Sequence, residues 1–300
     1  MKILVTGAAG FVGRRLVPLL ASAGHHVLAL IHRPLDSQVR VSFERYSVDV
    51  LQIDLGADPL GSLGGGFDAV IALAQSQHFR DFPDHAEEIF AVNVSAHLKL
   101  LEWSRITGVR RFIYASSGGI YGTRARVDVA ESELLAVDSP LGFYLGSKLC
   151  AEVLSQNYRD FFDTTAILRP FFIYGPGQRK DMLIPRLIRS VRDGRPIQVQ
   201  GSDGLKINPI YVDDAAAAFA AALNLTGCRI INVAGPETAT IRDIGERIGR
   251  IIGRATLFEE TTGRPSDYVA NIDSAKALLG TPATSLETGL RNTIQYIGEQ

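Results

Sequence analysis

The sequence predicts an α/β protein in which a doubly wound parallel sheet (a Rossmann fold) is followed by a smaller C-terminal α+β region. The first observation is a short apolar strand, Lys2 to Thr6, which opens into a glycine turn and a helical pattern. The second is the alternation of strands with helices over residues 1–170, which becomes less regular from Phe171 onward. We therefore expect two regions, 1–170 and 171–300, and expect part of the second to pack back on the first.

The composition is that of an ordinary globular protein. The 300 residues are 46% hydrophobic and 21% charged, which is enough for a sizeable core. The net charge of -1 gives no basic surface for nucleic acid and no attraction to anionic membranes. The apolar run from Ala215 to Leu223 is too short to span a bilayer, and the N-terminus lacks the pattern of a signal peptide. Because only Cys150 and Cys228 are present, we expect a cytoplasmic protein without a disulfide framework.

The first strand ends in a glycine turn of the kind that binds a dinucleotide. Glycines let the backbone turn tightly and approach a pyrophosphate, whose charge then faces the positive N-terminus of the next helix. The spacing is G-x-x-G-x-x-G, and it predicts contacts to the cofactor from Gly7, Ala9, Gly10, Phe11, Val12 and Gly13. Region 1–170 is thus predicted to bind a dinucleotide, and 171–300 to help form the substrate site.

The end of the second predicted strand, Val27 to Ile31, indicates which dinucleotide binds. A site that prefers NAD places an acidic residue about 20 residues past the glycines, where it binds the ribose hydroxyls. Here Ile31, His32 and Arg33 stand at that place, and an arginine at a strand end can pair with a 2′-phosphate. We therefore favour NADP over NAD and expect His32 and Arg33 to contact the cofactor.

The third and fourth predicted strands, Val50 to Ile53 and Asp68 to Leu73, end at the same edge of the sheet. Ligands of parallel sheets bind at the carboxyl ends of the strands. We expect further cofactor contacts from the residues at these ends, namely Asp54, Leu55, Ala72, Leu73 and Ala74.

A helix from about Pro83 to Thr107 is predicted next, and it carries Asn93, whose amide we expect to be exposed. The fifth strand, Arg111 to Ala115, follows. It ends in the small-residue turn from Ser116 to Gly122, again at the ligand-binding edge.

A helix from Leu141 to Phe162 carries Tyr144 and Lys148, which lie on one face because they are four residues apart. A phenol has an ordinary pKa of about 10. An ammonium group beside it favours the phenolate and lowers that pKa. The pair is then able to move a proton to or from a substrate hydroxyl near neutral pH. Since such a pair usually marks an exposed helix face, the interpretation depends on the surrounding motifs.

The C-terminal part begins with a sixth predicted strand, Thr165 to Leu168, which Arg169-Pro170 is expected to break. We predict that Asp213-Asp214 caps a helix of small residues. The other predicted elements are a helix at Ile184 to Val191, extended segments at Ile197 to Gln200 and Ile207 to Val212, a strand at Ile230 to Val233, a helix at Ile241 to Ile252 and a last helix at Asn271 to Leu279.

Taken together, the motifs resemble those of the extended short-chain dehydrogenases/reductases, and most of all the NAD(P)-dependent epimerase/dehydratase family that acts on nucleotide sugars. The resemblance covers nearly the whole chain. It rests on Thr6 to Gly13, Asn93, Ser116-Ser117 with Tyr121-Gly122, Tyr144 with Lys148, Leu168-Arg169-Pro170, Tyr174 to Gly177, Pro209 to Asp214 and Arg264 to Asp267.

The resemblance implies a role for each catalytic candidate. Tyr144 is the general acid/base on the substrate hydroxyl, and Lys148 lowers its pKa and holds the nicotinamide ribose. Ser117 forms a hydrogen bond to the substrate oxygen, while Asn93 has either a direct or a structural role. The cofactor carries the hydride. The resemblance also implies a cofactor contact at Pro170, substrate contacts at Ser116, Ser117, Tyr144, Phe172, Lys206 and Arg264, and a homodimer formed by the helices at 83–107 and 141–162.

The chain also departs from the family pattern in ways that bear on the substrate. Gly118-Gly119-Ile120 replace the Thr-Asp-Glu of dehydratases, so dehydration, which needs its own acid and base, is not expected. Phe171-Phe172-Ile173 stand where many sugar enzymes have an Asn, and Ile207 replaces an Arg that grips the nucleotide phosphate. Arg264 is kept, so one phosphate clamp remains.

Three functions follow from these observations. The first is an epimerase or ketoreductase acting at a secondary carbinol of a nucleotide sugar, at C4 of a nucleotide-activated hexose. The second is an NADP-dependent reductase of a small non-sugar carbonyl compound, which the apolar Phe171-Phe172-Ile173 favours. The third is a catalytically silent NADP-sensing scaffold, which the presence of both Tyr144 and Lys148 disfavours. No metal is expected, because the six histidines show no spaced ligand set.

Overall fold

The computed structural model describes residues 1–122, 126–137, 141–263 and 265–299. The strands are β1 (Lys2–Thr6), β2 (His26–Ile31), β3 (Asp49–Gln52), β4 (Ala69–Ala72), β5 (Arg111–Ala115), β6 (Arg126–Val129), β7 (Thr164–Pro170), β8 (Ile197–Gln200), β9 (Lys206–Ile207), β10 (Gly227–Val233), β11 (Ala239–Thr240), β12 (Phe258–Thr261) and β13 (Tyr268–Ala270). The helices are α1 (Gly13–Ser22), α2 (Ser37–Arg45), α3 (Ala86–Phe90), α4 (Ala96–Ile106), α5 (Gly142–Asn157), α6 (Leu183–Asp193), α7 (Val212–Ala221), α8 (Ile241–Ile252), α9 (Asp273–Leu279) and α10 (Leu286–Gly298).

Seven parallel strands form the main sheet, in the order β10-β7-β5-β4-β1-β2-β3. From β1 the chain builds outward on one side through β2 and β3, then returns to the other side at β4. The point where the order reverses, between β1 and β4, opens a crevice at the carboxyl ends of the strands. The predicted doubly wound sheet is therefore confirmed.

The core explains why β1 reads as an uninterrupted apolar run. Ile3 and Val5 are fully buried in the layer that includes α1, while Leu4 is fully buried in the layer on the opposite face. Because successive side chains of a strand point to opposite faces, a strand covered on both sides must be apolar throughout. The helix α1 completes its layer by burying Leu16 and Val17.

The predicted break at Arg169-Pro170 is wrong, because β7 runs through both residues to Pro170. Arg169 stays inside the sheet because its guanidinium is paired with the buried carboxylate of Glu152. Pro170 is tolerated because it is the last residue of the strand, where a missing N–H interrupts little of the ladder. Pairing with β10 continues to Pro170 and Val233.

The predicted single helix from Pro83 to Thr107 is also wrong. The structure has the short α3, a π-helical turn over Ala91–Ser95 and then α4. Asn93 lies in the π-helical turn and is buried, so its predicted exposure is wrong as well. Turns of this kind are frequent at functional sites, because the extra residue re-aims a side chain.

The region after Phe171 contributes strands to both the main sheet and a second sheet. The strand β10 pairs with β7 in the main sheet, and α7 packs against α1. A second sheet has the order β11-β9-β13-β6, and its strand β6 is not predicted from the sequence. Part of the chain after residue 170 thus belongs to the main sheet and its covering helices. The division of the chain at residue 170 stays a prediction.

The C-terminal helices differ from the prediction at two points. The extended segment predicted at Ile207 to Val212 gives way to α7, which begins at Val212. Asp213 and Asp214 therefore lie in the first turn of α7 rather than at its cap. The carboxylate of Asp214 instead accepts hydrogen bonds from the backbone N–H groups of Ala283 and Thr284. Asn271–Leu279 is not the last helix, since α10 follows α9. Across the described ranges, no helix combines the length and apolar character that crossing a membrane requires.

Candidate active site

A cleft of about 970 Å³ follows the carboxyl ends of β1, β2, β4 and β5 and reaches α5. It brings together most of the residues predicted from the sequence: Gly7, Ala9, Gly10, Phe11, Val12, Gly13, His32, Arg33, Asp54, Leu55, Leu73, Ala74, Ser116, Ser117, Tyr144, Lys148 and Pro170. Segments far apart in the chain therefore meet at the reversal point of the sheet, as expected for a parallel α/β fold.

The glycine turn at one end of the cleft leaves no room for a side chain at Gly7 or Gly13. Gly7 has a φ of +64°, and its carbonyl accepts a hydrogen bond of 2.9 Å from the N–H of Gly10. A Cβ on Gly7 would lie 2.9 Å from the backbone nitrogen of Ala74, and a Cβ on Gly13 would overlap the carbonyl oxygens of Gly7 and Ala8. The turn and the N-terminus of α1 therefore form a cradle that fits a dinucleotide pyrophosphate.

The ribose end of the cleft holds an acidic residue that the sequence analysis missed. His32 and Arg33 are exposed and line the cleft just after β2. Asp36 also lines it, caps α2 by accepting a hydrogen bond of 2.8 Å from Val39 N–H, and pairs with Arg14 at 3.3 Å. Asp36 lies five residues beyond the end of β2. The sequence pattern places the acidic residue of such sites at the strand end itself, so it does not identify Asp36.

Tyr144 lines the cleft and belongs to α5, which packs on the turn after β5. Its hydroxyl donates a hydrogen bond of 3.0 Å to Oε1 of Gln75, and its ring packs 5.0 Å from that of Phe79, measured between centroids. Burial raises the pKa of Tyr144 above its ordinary value, whereas a hydrogen bond with the Ser117 side chain lowers it. Ser117 and Tyr144 therefore line the same part of the cleft.

Lys148 lies one turn further along α5 and is fully buried. Its Nζ donates a hydrogen bond of 2.9 Å to the carbonyl of Ala115 and lies 5.8 Å from the centroid of the Tyr144 ring. Burial lowers the pKa of Lys148 to about 7, while the nearby Glu152 raises it. The expected net lowering of the Tyr144 pKa is thus not found, because burial of the phenol dominates.

Asn93 connects the segments that carry the site without reaching the cleft lining. Its Oδ1 accepts a hydrogen bond of 2.9 Å from the N–H of Ser76, and its Nδ2 donates one of 2.9 Å to the hydroxyl of Ser147. Ser147 in turn donates to the carbonyl of Tyr144 at 2.7 Å. These contacts favour the structural role, in which Asn93 holds α5 against the loop after β4.

The predicted substrate residues are only partly assembled. Ser116 lines the cleft, and its buried hydroxyl has no hydrogen-bond partner among the residues that the structure describes, so it is available to a ligand. Phe172 and Lys206 are absent from the described lining, as is the predicted cofactor residue Ala72, which is buried within β4. Arg264 lies outside the described residues.

The loop after β4 supplies side chains that the sequence analysis did not single out. Gln75, Ser76, Gln77, His78 and Glu88 line the cleft, and only their position after the fourth strand could have indicated this. The expectation that no metal binds stays a prediction, although the fold brings two of the histidines close to a carboxylate. Within this loop, ligand atoms of His78, Asp81 and His85 lie within 4.8 Å of one another.

Residues 3–234 match the model of the NAD dependent epimerase/dehydratase family. The chain is 34% identical to the uncharacterized UDP-glucose epimerase YtcB of Bacillus subtilis, over 99% of this chain and 98% of the relative. It is 30% identical to the UDP-glucuronate 4-epimerase of Thermodesulfobacterium geofontis, over 99% of this chain and 96% of the relative.

Solved structures with the same fold contain ligands. The UDP-glucuronic acid 4-epimerase of Bacillus cereus, in complex with NAD, matches with a TM-score of 0.86 at 29% identity, over 100% of this chain and 97% of that one. MoeE5, in complex with UDP-glucuronic acid and NAD, matches with a TM-score of 0.85 at 28% identity, over 100% and 99% of the two chains.

Proposed function

The chain belongs to the NAD-dependent epimerase/dehydratase family, and we propose that it is an NAD-dependent 4-epimerase of a UDP-sugar. The observation that carries the proposal is that Ser117, Tyr144 and Lys148 line one cleft, which begins at the glycine turn. The relatives include the UDP-glucuronate 4-epimerase of Thermodesulfobacterium geofontis and the UDP-glucuronic acid 4-epimerase of Bacillus cereus, and the solved structures of the latter and of MoeE5 contain NAD.

The residues of the cleft suggest how the proton moves. The Ser117 hydroxyl would orient the C4 hydroxyl of the sugar, and Oη of Tyr144 would remove its proton while the hydrogen on C4 leaves as a hydride. The resulting ketone would then turn its other face to the cofactor, and Tyr144 would return a proton to the same oxygen once the hydride has added to that face. The ammonium group of Lys148, when protonated, would favour the phenolate of Tyr144 against the effect of burial. When bound, NAD would supply the reversible hydride acceptor for C4. The glycine turn, Leu73 and Ala74 would hold the cofactor.

The turn after Ser117 favours epimerisation over dehydration. A Cβ on Gly118 would lie 2.5 Å from the ring of Phe171, and a Cβ on Gly119 would lie 2.8 Å from Leu145. The residue that dehydratases have in place of Gly118 is Thr, and its side chain would meet the Phe171 ring, whereas the atom nearest to Gly119 is the end of the flexible Leu145 side chain. Neither glycine, nor Ile120 after them, offers a carboxylate for dehydration.

A substrate panel tests the proposal. The purified protein is incubated with UDP-glucuronate, UDP-glucose and UDP-N-acetylglucosamine, and the products are separated by chromatography and identified by NMR. We expect one of these to be converted to its C4 epimer without added reductant. A ketoreductase would instead consume NADH or NADPH stoichiometrically, and a reductase of small carbonyl compounds would show no thermal shift with UDP.

Two side chains that line the cleft after β2, Asp36 and Arg33, bear on the choice between NAD and NADP. NAD is the cofactor we propose, because Asp36 lies at the ribose end of the cleft and is able to bind hydroxyl groups. The exposed Arg33 supports the second candidate, NADP, because it is free to meet a 2′-phosphate. Dissociation constants of both cofactors, measured for the wild type and for Arg33→Ser, separate the two. An NADP site would lose its preference in that variant.

We also propose a homodimer and a cytoplasmic location. The helices α4 and α5 pack against each other. Ile106 at the end of α4, Val153 on α5 and Phe161 just beyond α5 all expose apolar side chains. Pairing of these helices between two copies would bury them. Both cysteines, Cys150 and Cys228, are free and exposed, which suits a reducing compartment.

A further inference from the structure

The loop between β4 and α3 gathers imidazole and carboxylate groups that the reaction at Tyr144 does not use. One ligand atom from each of His78, Asp81 and His85 lies within 4.8 Å of the other two. Two imidazoles and a carboxylate form a donor set that zinc and related d-block ions prefer. We propose that this loop binds one divalent d-block cation of the zinc class through His78, Asp81 and His85.

The present distances are close to those that such an ion requires. Asp81 Oδ2 lies 2.8 Å from Nδ1 of His78, and the rings of His78 and His85 stack with centroids 3.8 Å apart. Ligand atoms around a tetrahedral zinc lie roughly 3.3 Å apart, because each bond is about 2.0–2.2 Å long. Small rotations of exposed or half-buried side chains are therefore enough to bring the three ligands to one ion.

A second carboxylate lies against both imidazoles. Oε2 of Glu88 is 3.7 Å from Nε2 of His78 and 3.6 Å from Nδ1 of His85. It is able to complete the coordination or to orient a ligand histidine from outside, as carboxylates do around zinc. The ordinary alternative is a pair of histidines held only by these carboxylates, and the proposal differs from it by requiring a bound ion.

The local charge also favours a cation. Between His78 and Glu88 the chain has four acidic side chains, Asp81, Asp84, Glu87 and Glu88, and one basic side chain, Arg80, which gives a net charge of −3 (one positive minus four negative). The guanidinium of Arg80 lies toward Asp181, at 3.8 Å. A divalent ion would offset part of this negative charge.

The loop is anchored in a way that preorganises the ligands. The hydroxyl of Ser76 donates a hydrogen bond of 2.7 Å to Oε1 of Glu88, and the N–H of Ser76 is held by Asn93. The preceding residue, Gln75, contacts Tyr144. The ion would therefore fix the loop that borders the catalytic tyrosine, although its binding does not depend on the function proposed above.

Metal titration of the tag-free protein tests the proposal. The protein is stripped with EDTA and titrated with Co²⁺, followed by visible absorption, and Zn²⁺ is then added to displace the Co²⁺. We expect one equivalent to bind, and His78→Gln or His85→Gln to weaken binding by more than ~100-fold, since loss of a ligand exceeds the effect of an outer partner. The matched control is His26→Gln, an exposed histidine at the start of β2, which should bind as the wild type does.

Three results would overturn the inference. The first is the absence of any binding at micromolar Co²⁺ or Zn²⁺, the second is unchanged affinity in the double variant His78→Gln/His85→Gln, and the third is a zinc site with fewer than two imidazole ligands. Circular dichroism of each metal-free variant checks that it is folded. X-ray absorption of the zinc-loaded wild type is independent of any variant: we expect two imidazole ligands, and fewer than two would contradict the proposal.

Discussion

Tyr144 and Lys148 show what sequence spacing predicts and what burial changes. Their separation by four residues on one helix correctly places both in the cleft. Spacing gives no information about solvent, however, and both side chains are buried. Burial disfavours charged forms, so it raises the pKa of the phenol and lowers that of the ammonium. The side chain of Ser117 partly counteracts the rise in the pKa of Tyr144.

Replacement of Tyr144 by Phe removes the proton-transfer group and keeps the ring contact with Phe79. We expect kcat to fall by about 10²–10⁴-fold or more, in line with the usual contribution of general acid–base catalysis. Binding of NAD, measured by fluorescence quenching, should persist. The matched control is Tyr46→Phe, a tyrosine exposed on the surface, which should leave kcat unchanged. Substantial turnover by Tyr144→Phe would contradict the assigned role.

The family pattern identifies Asn93 as a residue of interest, but the sequence does not predict its surroundings. The sequence places it in a continuous helix, where an amide is normally exposed. The structure buries it in a π-helical turn, where it bonds to Ser76 and Ser147. Hydrophobic periodicity does not reveal a single inserted residue, so the turn could not have been predicted.

At the scale of elements, a buried ion pair joins α5 to β7. Both carboxylate oxygens of Glu152 accept hydrogen bonds from Arg169, at 3.0 and 2.7 Å, and Arg169 also donates to the hydroxyl of Tyr121 at 2.6 Å. The guanidinium and the carboxylate are almost inaccessible to solvent. The pair lies one helical turn from Lys148 and thus fixes the helix that carries the site.

Glu152→Leu leaves the guanidinium of Arg169 buried without its anion. We expect the free energy of unfolding, measured by urea denaturation, to fall by about 3–5 kcal/mol, the usual cost of breaking a buried pair. The double variant Glu152→Leu/Arg169→Met should recover much of that loss, because no charge then stays unpaired. A double variant that is less stable than Glu152→Leu would show that the pair does not act in this way.

At the scale of the whole molecule, the sequence predicts the strands of the main sheet better than those of the second sheet. The βα repeats each carry a strong local signal, so β1 and β5 have the predicted bounds. Strands of the second sheet are as short as Lys206–Ile207 and depend on partners far along the chain. No local pattern specifies such pairings, which explains why β6 was missed.

The pH dependence of stability follows from His97. Burial lowers its pKa from 6.5 to about 3, so the unfolded chain binds a proton that the folded one excludes between these values. Stability should therefore decrease as the pH falls, by roughly 2 kcal/mol between pH 7 and pH 5 from this residue. Urea denaturation at both pH values should show a smaller decrease for His97→Gln. An equal decrease in that variant would assign the effect to other groups.

The proposed homodimer is tested by introducing charge at its helices. The double variant Ile106→Asp/Val153→Asp replaces two apolar side chains that are exposed in the single chain with carboxylates. Because neither position is in the core, the variant should still fold. We expect the wild type to elute as a dimer in size-exclusion chromatography with light scattering, and the variant as a monomer. The exposed Leu257 provides a control, since Leu257→Asp lies away from these helices and should stay dimeric. A monomeric wild type would contradict the dimer.

The most direct test of the account is the fate of the hydrogen at C4 when the reaction runs in D₂O. In the proposed reaction Tyr144 moves only the hydroxyl proton, and the hydrogen on C4 leaves and returns as a hydride. NMR of the product should therefore show the inverted configuration at C4 with no deuterium on that carbon. Deuterium at C4 would mean that the carbon itself is deprotonated, and it would contradict the mechanism.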